Sequence, residues 1–215
     1  MTDEGVGFKT LYADAHLLVL NKPTNLLSVP GKGDDKQDCL SARVQEQYPD
    51  ALIVHRLDMA TSGLMLMARG VAMQTALSKL FETRAIRKRY VAVVDGQMDT
   101  SPDWSLIDLP IALDGPNRPL RIIDAGGKPS QTRWRVMNRD HLHNTSRVEL
   151  EPITGRSHQL RVHLKAIGHP IWGDKLYAPA SVAALSARLL LHACRLQFVH
   201  PALGEDMIFD SPCPF

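Results

Sequence analysis

Two short apolar segments flank a charged turn, and this arrangement constrains the fold more than any other feature of the sequence. Leu52-Ile53-Val54 and residues 64–67 are apolar enough to be strands of a buried sheet. The turn between them carries His55, Arg56 and Asp58. A fold needs no charge at such a place, and a buried charge is costly unless it is paired. The sequence therefore indicates a requirement other than folding at this turn.

Two interpretations of Asp58 remain open from the residues alone. An aspartate in a turn commonly accepts hydrogen bonds from backbone N–H groups, and that role would account for the residue. Alternatively, the carboxylate is desolvated between the apolar segments and needs a cationic partner, for which Arg156 in PITGRSHQLRVH is a candidate. A carboxylate that is paired with an arginine remains ionised, so it serves as a base or a nucleophile and not as a general acid.

The patterns along the rest of the chain predict one mixed α/β domain with abundant strand. Leu40, Val44 and Tyr48 share one face of a helix that Pro49 closes. The Pro- and Gly-rich residues 97–131 are expected to form long loops with short strands. We also predict a helix over 73–81, two strands within 8–23, and strands over 52–57, 64–68, 90–95, 132–137 and 146–152.

Two further segments are mixed in pattern. SHQLRVHLKAIG, residues 157–168, alternates as a strand would, but Leu160, Leu164 and Ile167 share a helix face. Because Ser157 can cap a helix and Gly168 stands where the residue after a helix belongs, we favour a helix. Residues 181–196 begin as another helix and are expected to run into a strand.

Composition excludes several classes of protein. The net charge of the 215 residues is only +2, so overall electrostatics do not indicate nucleic-acid binding. Three widely spaced cysteines without a CxxC pair argue against a disulfide framework and suit a reducing compartment. The N-terminus lacks a signal peptide, and no apolar run approaches the ~20 residues of a membrane span. We therefore expect a cytoplasmic protein with no membrane contact.

The sequence also lacks the usual signatures of metal and cofactor sites. His158 and His163 are five residues apart, which places them about 140° apart around a helix and on opposite faces of a strand. The patterns HExxH, GxSxG, GxGxxG and GxxxxGKS are absent. We expect neither a bound metal nor a cofactor.

A basic run precedes an aromatic residue in the middle of the chain. Arg84, Arg87, Lys88 and Arg89 lie within six residues that contain no acid, and Tyr90 follows directly. The run is either a solvated helix end, where cations are favourable, or an edge that grips phosphates beside a ring that can reach a base. The residues alone leave both interpretations open.

Four segments resemble the motifs of the RluA-type pseudouridine synthases. HRLDMATSGLMLMA resembles the catalytic motif, NKPTNLLSVPG the N-terminal motif, RKRYVAVVDG the tyrosine motif and PITGRSHQLRVHLKAIGHPIWGDKLYA the C-terminal motif. They occur in the family's order over residues 16–178, which is far more specific than any one motif. DLPI, PNRP and RLLLHACRLQFVHP extend the resemblance to nearly the whole chain.

The resemblance implies a fold and a reaction. The fold would be α+β, one catalytic domain over residues 1–215 with a mixed, largely antiparallel sheet flanked by helices and loops. The chain would start directly at this domain, as in short members of the family that lack an N-terminal RNA-binding module. The reaction would be isomerisation of a uridine in RNA to pseudouridine, without cofactor or metal.

The resemblance also implies roles for individual residues. Asp58 would be the essential carboxylate, Arg156 its ion-pair partner and Tyr90 the ring that packs on the flipped base. Arg56 would fill the gap that the extruded base leaves. The residues expected to contact RNA are His55, Arg56, Arg84, Arg87, Lys88 and Arg89.

The expected partner is structured RNA. Short members of the family are similar in acting on both a large-subunit (23S) rRNA loop and a tRNA anticodon stem-loop, and we expect a monomer with no obligate protein partner. One alternative is the same chemistry on a single RNA. Another is a non-catalytic RNA-binding or ribosome-assembly module, although such a module has no need of Asp58, Tyr90 and Arg156. The third alternative is a metal-dependent hydrolase.

Overall fold

A computed structural model describes residues 7–100 and 103–215. The chain divides into two compact units: one contains the residues up to Lys88 together with Ala193–Pro214, and the other contains Arg89–His192 with Phe215. The helices are α1 (Leu40–Gln47), α2 (Val71–Glu82), α3 (Gln159–Ala166) and α4 (Ala180–Ala183). The strands are β1 (Lys9–Ala13), β2 (Leu17–Lys22), β3 (Ala51–Ile53), β4 (Ser62–Arg69), β5 (Arg87–Asp95), β6 (Ser105–Asp108), β7 (Ile111–Leu113), β8 (Arg121–Ile123), β9 (Gln131–Asp140), β10 (Thr145–Pro152), β11 (Leu191–Val199) and β12 (Asp206–Asp210).

The first unit is a sheet covered by a helix on each face. Strands β1, β2, β4 and β11 are neighbours in that order, β3 pairs with β4, and β12 pairs with β11. Because both faces are covered, β2 and β4 contain continuous apolar runs, Leu17–Leu20 and Leu64–Ala68. Alternate side chains pack with α1 on one face and with α2 on the other. The first set includes Leu18, Leu20, Met65 and Met67, and the second includes Leu17, Val19, Leu64 and Leu66.

The first unit confirms most of the predicted elements, with one correction. Two strands within 8–23, the helix closed before Pro49, and the helix over 73–81 are all present. The strand predicted over 52–57 is wrong beyond Ile53. The backbone of Leu57 exchanges its hydrogen bonds with the hydroxyl of Ser28, at 2.7 and 3.1 Å, instead of with a neighbouring strand.

The second unit has an antiparallel sheet with the order β5, β10, β9, β6, and a separate hairpin of β7 and β8. The strands predicted over 90–95, 132–137 and 146–152 are confirmed, as are the short strands within 97–131. Val148 and Leu150 of β10 are completely buried. The protein is therefore α+β with largely antiparallel strands, which confirms the predicted fold class.

The two mixed segments resolve as expected, except at one helix terminus. Residues 157–168 contain α3, and Gly168 follows it with φ +89°. The predicted cap Ser157 is wrong: the N-cap is His158, in the left-handed conformation with φ 58°. No side-chain hydrogen bond caps this helix, and the side chain of Gln159, its first residue, accepts the N–H of Arg156 in the preceding connection. The helix α4 precedes strand β11, as predicted for 181–196.

None of the helices in the described ranges is long and apolar enough to cross a membrane.

Candidate active site

The turn that carries Asp58 is held by its backbone carbonyls. The N–H of Thr61 donates to the carbonyl of Asp58 at 3.0 Å, which closes a β-turn. The Nζ of Lys22 donates to the carbonyl of Met59 at 3.1 Å, and the hydroxyl of Thr24 donates to the carbonyl of Ala60 at 2.7 Å. The half-buried Asp58 therefore lies on a turn fixed by side chains of NKPTNLLSVPG.

Lys22 is a residue that supports the Asp58 turn and that sequence reasoning missed. It is completely buried, and its ammonium also donates to the carbonyls of Pro23 and Leu26, each at 2.8 Å. A buried ammonium is stable only when oxygens replace its hydration, and three carbonyls do so here. The sequence contained a partial signal, because Lys22 ends a strand, LLVLNK, that begins with four apolar residues.

Position 63, in the TSG segment, requires a glycine for structural reasons. Its φ is +112°, a conformation that side chains rarely adopt. A Cβ at this position would lie 2.6 Å from the backbone nitrogen of Ala193, and closer still to its oxygen. The turn can return into β4 beside β11 only because residue 63 has no side chain.

His55 is held as a neutral ring. Its Nε2 accepts the N–H of Leu66 at 2.9 Å, and its ring lies 4.5 Å from that of Phe81. Burial, with the nearby ammonium of Lys88, lowers the pKa of His55 to about 3. His55 therefore supplies no positive charge at neutral pH. It connects the start of the Asp58 turn to β4.

The predicted basic residues occupy three different environments. Arg56, Arg84 and Arg87 are exposed on the first unit. Lys88 is partly buried, with Nζ 5.9 Å from the centre of the Phe81 ring, and burial lowers its pKa. One interpretation of this basic run was a solvated helix end. It can apply only to Arg84, because the other three residues belong to β5, which begins at Arg87.

Arg89 lies in the second unit, within a network of ion pairs. Its guanidinium contacts Glu149 at 3.1 Å and Glu151 at 3.5 Å. The two glutamates lie on β10, and on its other side Arg133 and Arg135 of β9 contact them: Arg133 contacts Glu151, and Arg135 contacts Glu149. All three guanidinium groups lie within 5.5 Å of the centre of the Trp104 ring.

The second unit also carries Tyr90 and Arg156. Tyr90 is a half-buried residue of β5 that pairs with Leu150 of β10. Arg156 is exposed in the connection between β10 and α3, where its N–H donates to the side chain of Gln159. The structure thus places His55, Arg56 and Asp58 on one turn of the first unit, and places Tyr90 and Arg156 in the second unit.

The described residues contain no cluster of three or more His, Cys, Asp or Glu side chains that could hold a metal ion.

Comparisons with known proteins identify related sequences and structures. A family model described as RNA pseudouridylate synthase matches residues 16–166. The chain is 48% identical over 206 residues to the dual-specificity RNA pseudouridine synthase RluA of Escherichia coli K12, covering 95% of this chain and 93% of that protein. The corresponding Yersinia pestis protein is 46% identical over 206 residues, covering 95% of this chain and 98% of that protein.

Solved structures show the same similarity. Human RNA pseudouridylate synthase domain containing 1 superimposes with a TM-score of 0.82 at 29% identity, covering 100% of this chain and 87% of that chain. Human RNA pseudouridylate synthase domain containing 4 gives a TM-score of 0.75 at 27% identity, covering 95% of this chain and 88% of that chain.

Proposed function

The chain belongs to the RNA pseudouridylate synthase family, and from this premise we propose that it converts loop uridines to pseudouridine in both large-subunit ribosomal RNA and tRNA. Proteins 46–48% identical over 95% of the chain are dual-specificity RNA pseudouridine synthases. The observation that carries the proposal is the turn of Asp58, whose carbonyls are tied to the NKPTNLLSVPG segment. A turn fixed in this way holds one carboxylate in a set position, as catalysis requires.

In the proposed reaction, the N1–C1′ glycosidic bond breaks, the uracil turns over, and C5 bonds to C1′ with loss of the C5 hydrogen. Asp58 is the catalytic carboxylate, Arg156 its ionic partner, and Tyr90 the ring that packs on the base. Arg56 fills the gap left by the extruded base. Base flipping costs a few kcal/mol and costs less in a loop, which favours stem-loop substrates. We further propose that residues 1–215 act as one catalytic domain in a cytoplasmic monomer.

We predict that the purified protein forms pseudouridine in both classes of RNA. Unmodified large-subunit rRNA and unmodified tRNA are incubated with it separately, and pseudouridines are mapped by carbodiimide labelling and primer extension. Each RNA should gain modification at a loop uridine. Modification of one RNA alone would contradict dual specificity, and modification of neither would favour a binding module.

We predict that Arg84 and Arg87 together carry part of the salt dependence of RNA binding. Each phosphate contact contributes about 0.7 to the slope of log affinity against log salt for single strands and about 0.9 for duplex. The Arg84→Ala/Arg87→Ala variant should therefore lose about 1.4 to 1.8 of the slope when Kd is measured at several salt concentrations.

Arg195→Ala is the comparator for this measurement, because its guanidinium donates to both oxygens of Asp210, at 2.6 and 2.9 Å, and it lies outside the predicted RNA-contacting residues. It should retain the wild-type slope. If the double variant also retains that slope, Arg84 and Arg87 are solvated residues that do not contact RNA.

A further inference from the structure

Gln159 is a buried amide with four hydrogen bonds. Only 3% of the residue is exposed. Its Oε1 accepts the N–H of Arg156 at 2.9 Å and the hydroxyl of Thr154 at 2.7 Å. Its Nε2 donates to the carbonyl of Gln131 at 2.9 Å and to the hydroxyl oxygen of Thr132 at 3.0 Å. Every donor and acceptor of the amide is used, so the side chain has one favourable orientation.

Backbone groups fix that orientation. The N–H of Arg156 can only donate, so the atom that faces it must be the amide oxygen. The carbonyl of Gln131 can only accept, so the atom that faces it must be the amide nitrogen. A flipped Gln159 amide would set donor against donor and acceptor against acceptor.

A second buried side chain extends this arrangement. The hydroxyl oxygen of Thr132 accepts from Gln159, so its own proton is directed to Nδ1 of His163, at 2.9 Å. The Nε2 of His163 then donates to the carbonyl of Leu109, at 2.9 Å. Thr132 and His163 are both completely buried, and burial lowers the pKa of His163. The neutral ring required by this direction of hydrogen bonding is therefore the stable form.

The hydrogen bonds run in one direction, from the N–H of Arg156 through Gln159, Thr132 and His163 to the carbonyl of Leu109. They connect the exposed arginine to strand β9 and to the segment before β7, both within the second unit. We propose that Gln159 is a positioning residue that sets the backbone of Arg156 for catalysis, with Thr132 and His163 fixing its orientation. This proposal rests on the proposed catalytic role of Arg156.

The backbone between Arg156 and α3 passes through His158, which has a left-handed conformation and must be held by its surroundings. A non-glycine residue with positive φ is unfavourable unless its surroundings hold it. Here Nδ1 of His158 lies 2.6 Å from the hydroxyl of Tyr177, which accepts the N–H of Arg121 at 2.9 Å. The connection from Arg156 into α3 is therefore held on one side by Gln159 and on the other by Tyr177.

The test replaces Gln159 by methionine, which has a similar length and no amide. A small displacement of a catalytic group can cost about 10²-fold in rate, so kcat should fall by about that factor. The KM and the Kd for a substrate stem-loop should remain close to wild type, because the proposed role concerns the reacting geometry and not binding. Unchanged kcat would overturn the proposal.

Gln97→Met is the matched control. The amide of Gln97 donates to the carbonyls of Asp140 and Thr145, at 2.9 and 3.1 Å, and does not contact Arg156. This variant should lower the free energy of unfolding and leave kcat unchanged. An equal loss of kcat in both variants would show a general effect of destabilisation and would also overturn the proposal.

Thr132 supplies a second pair of variants if Gln159→Met does not fold. Thr132→Val removes the hydroxyl that receives Nε2 of Gln159, and kcat should fall several-fold, with KM near wild type. Thr132→Ser keeps the hydroxyl and should restore the wild-type kcat. Equal kcat for valine and serine would contradict the proposed role of Thr132 in orienting Gln159.

The Arg156→Ala variant distinguishes a failure of this proposal from a failure of the proposed function. If Gln159 acts through Arg156, Gln159→Met should cause no further loss of single-turnover rate in the Arg156→Ala background. The full additional loss in that background would show that Gln159 acts independently of Arg156. A wild-type rate for Arg156→Ala itself would instead contradict the catalytic assignment of Arg156.

Discussion

Asp174→Ala should lower the free energy of unfolding by about 3–5 kcal/mol, because it leaves the charge of Arg161 buried without its carboxylate. The two side chains are 1% and 4% exposed. The guanidinium of Arg161 donates through Nε and Nη2 to both oxygens of Asp174, at 2.8 and 2.6 Å. The Asp174 carboxylate also accepts the N–H groups of Leu176 and Tyr177. The pair therefore connects α3 to the segment GDKLYA in the C-terminal motif.

The chain contains a matched pair with similar geometry at the surface. Arg43 contacts both oxygens of Asp38, each at 2.7 Å, but these side chains are 30% and 65% exposed. An exposed ion pair contributes little, because water solvates either partner after the other is removed. Asp38→Ala should therefore shift a urea unfolding curve much less than Asp174→Ala. Similar shifts for the two variants would show that burial does not determine the strength of the Asp174 pair.

Asp58→Asn should abolish turnover and leave the fold and the RNA affinity near wild type. Asparagine is nearly isosteric with aspartate, and the turn is held by backbone carbonyls and not by the carboxylate alone. The substitution removes the anionic oxygen that serves as nucleophile or base. Thermal unfolding and stem-loop binding would verify that only the chemistry changed.

The strands of the first unit could be predicted because their pattern is local. Leu17–Leu20 and Leu64–Met67 are continuous apolar runs, since a helix covers each face of the sheet. The strand predicted through Leu57 failed for a non-local reason, because the hydroxyl that takes up its backbone hydrogen bonds belongs to Ser28, 29 residues earlier. No window of sequence around Leu57 contains that information.

The candidate site was predictable in part. The motif resemblance identified Asp58, and the charged turn between apolar segments gave an independent physical reason for it. Sequence reasoning grouped Arg87 with Arg89, yet only the structure shows that Arg89 is engaged by glutamates some 60 residues away along the chain. Ser157 was favoured as a cap because it matches capping preferences, whereas the N-cap is the left-handed His158, whose ring contacts the hydroxyl of Tyr177, 19 residues later, and no side chain caps the helix.

The account depends most on Asp58 as the carboxylate of a pseudouridine synthase, and release of tritium from RNA labelled at uracil C5 tests this most directly. Pseudouridine formation must expel the C5 hydrogen, whichever role the carboxylate has. We expect the wild-type protein, with EDTA present, to release tritium, and Asp58→Asn to bind the same RNA without releasing any. Asp50→Asn, which changes an exposed aspartate paired with Arg69, should release tritium at the wild-type rate. Release by Asp58→Asn near the wild-type rate would contradict the assignment of Asp58, and no release by the wild-type protein from either class of RNA would contradict the activity.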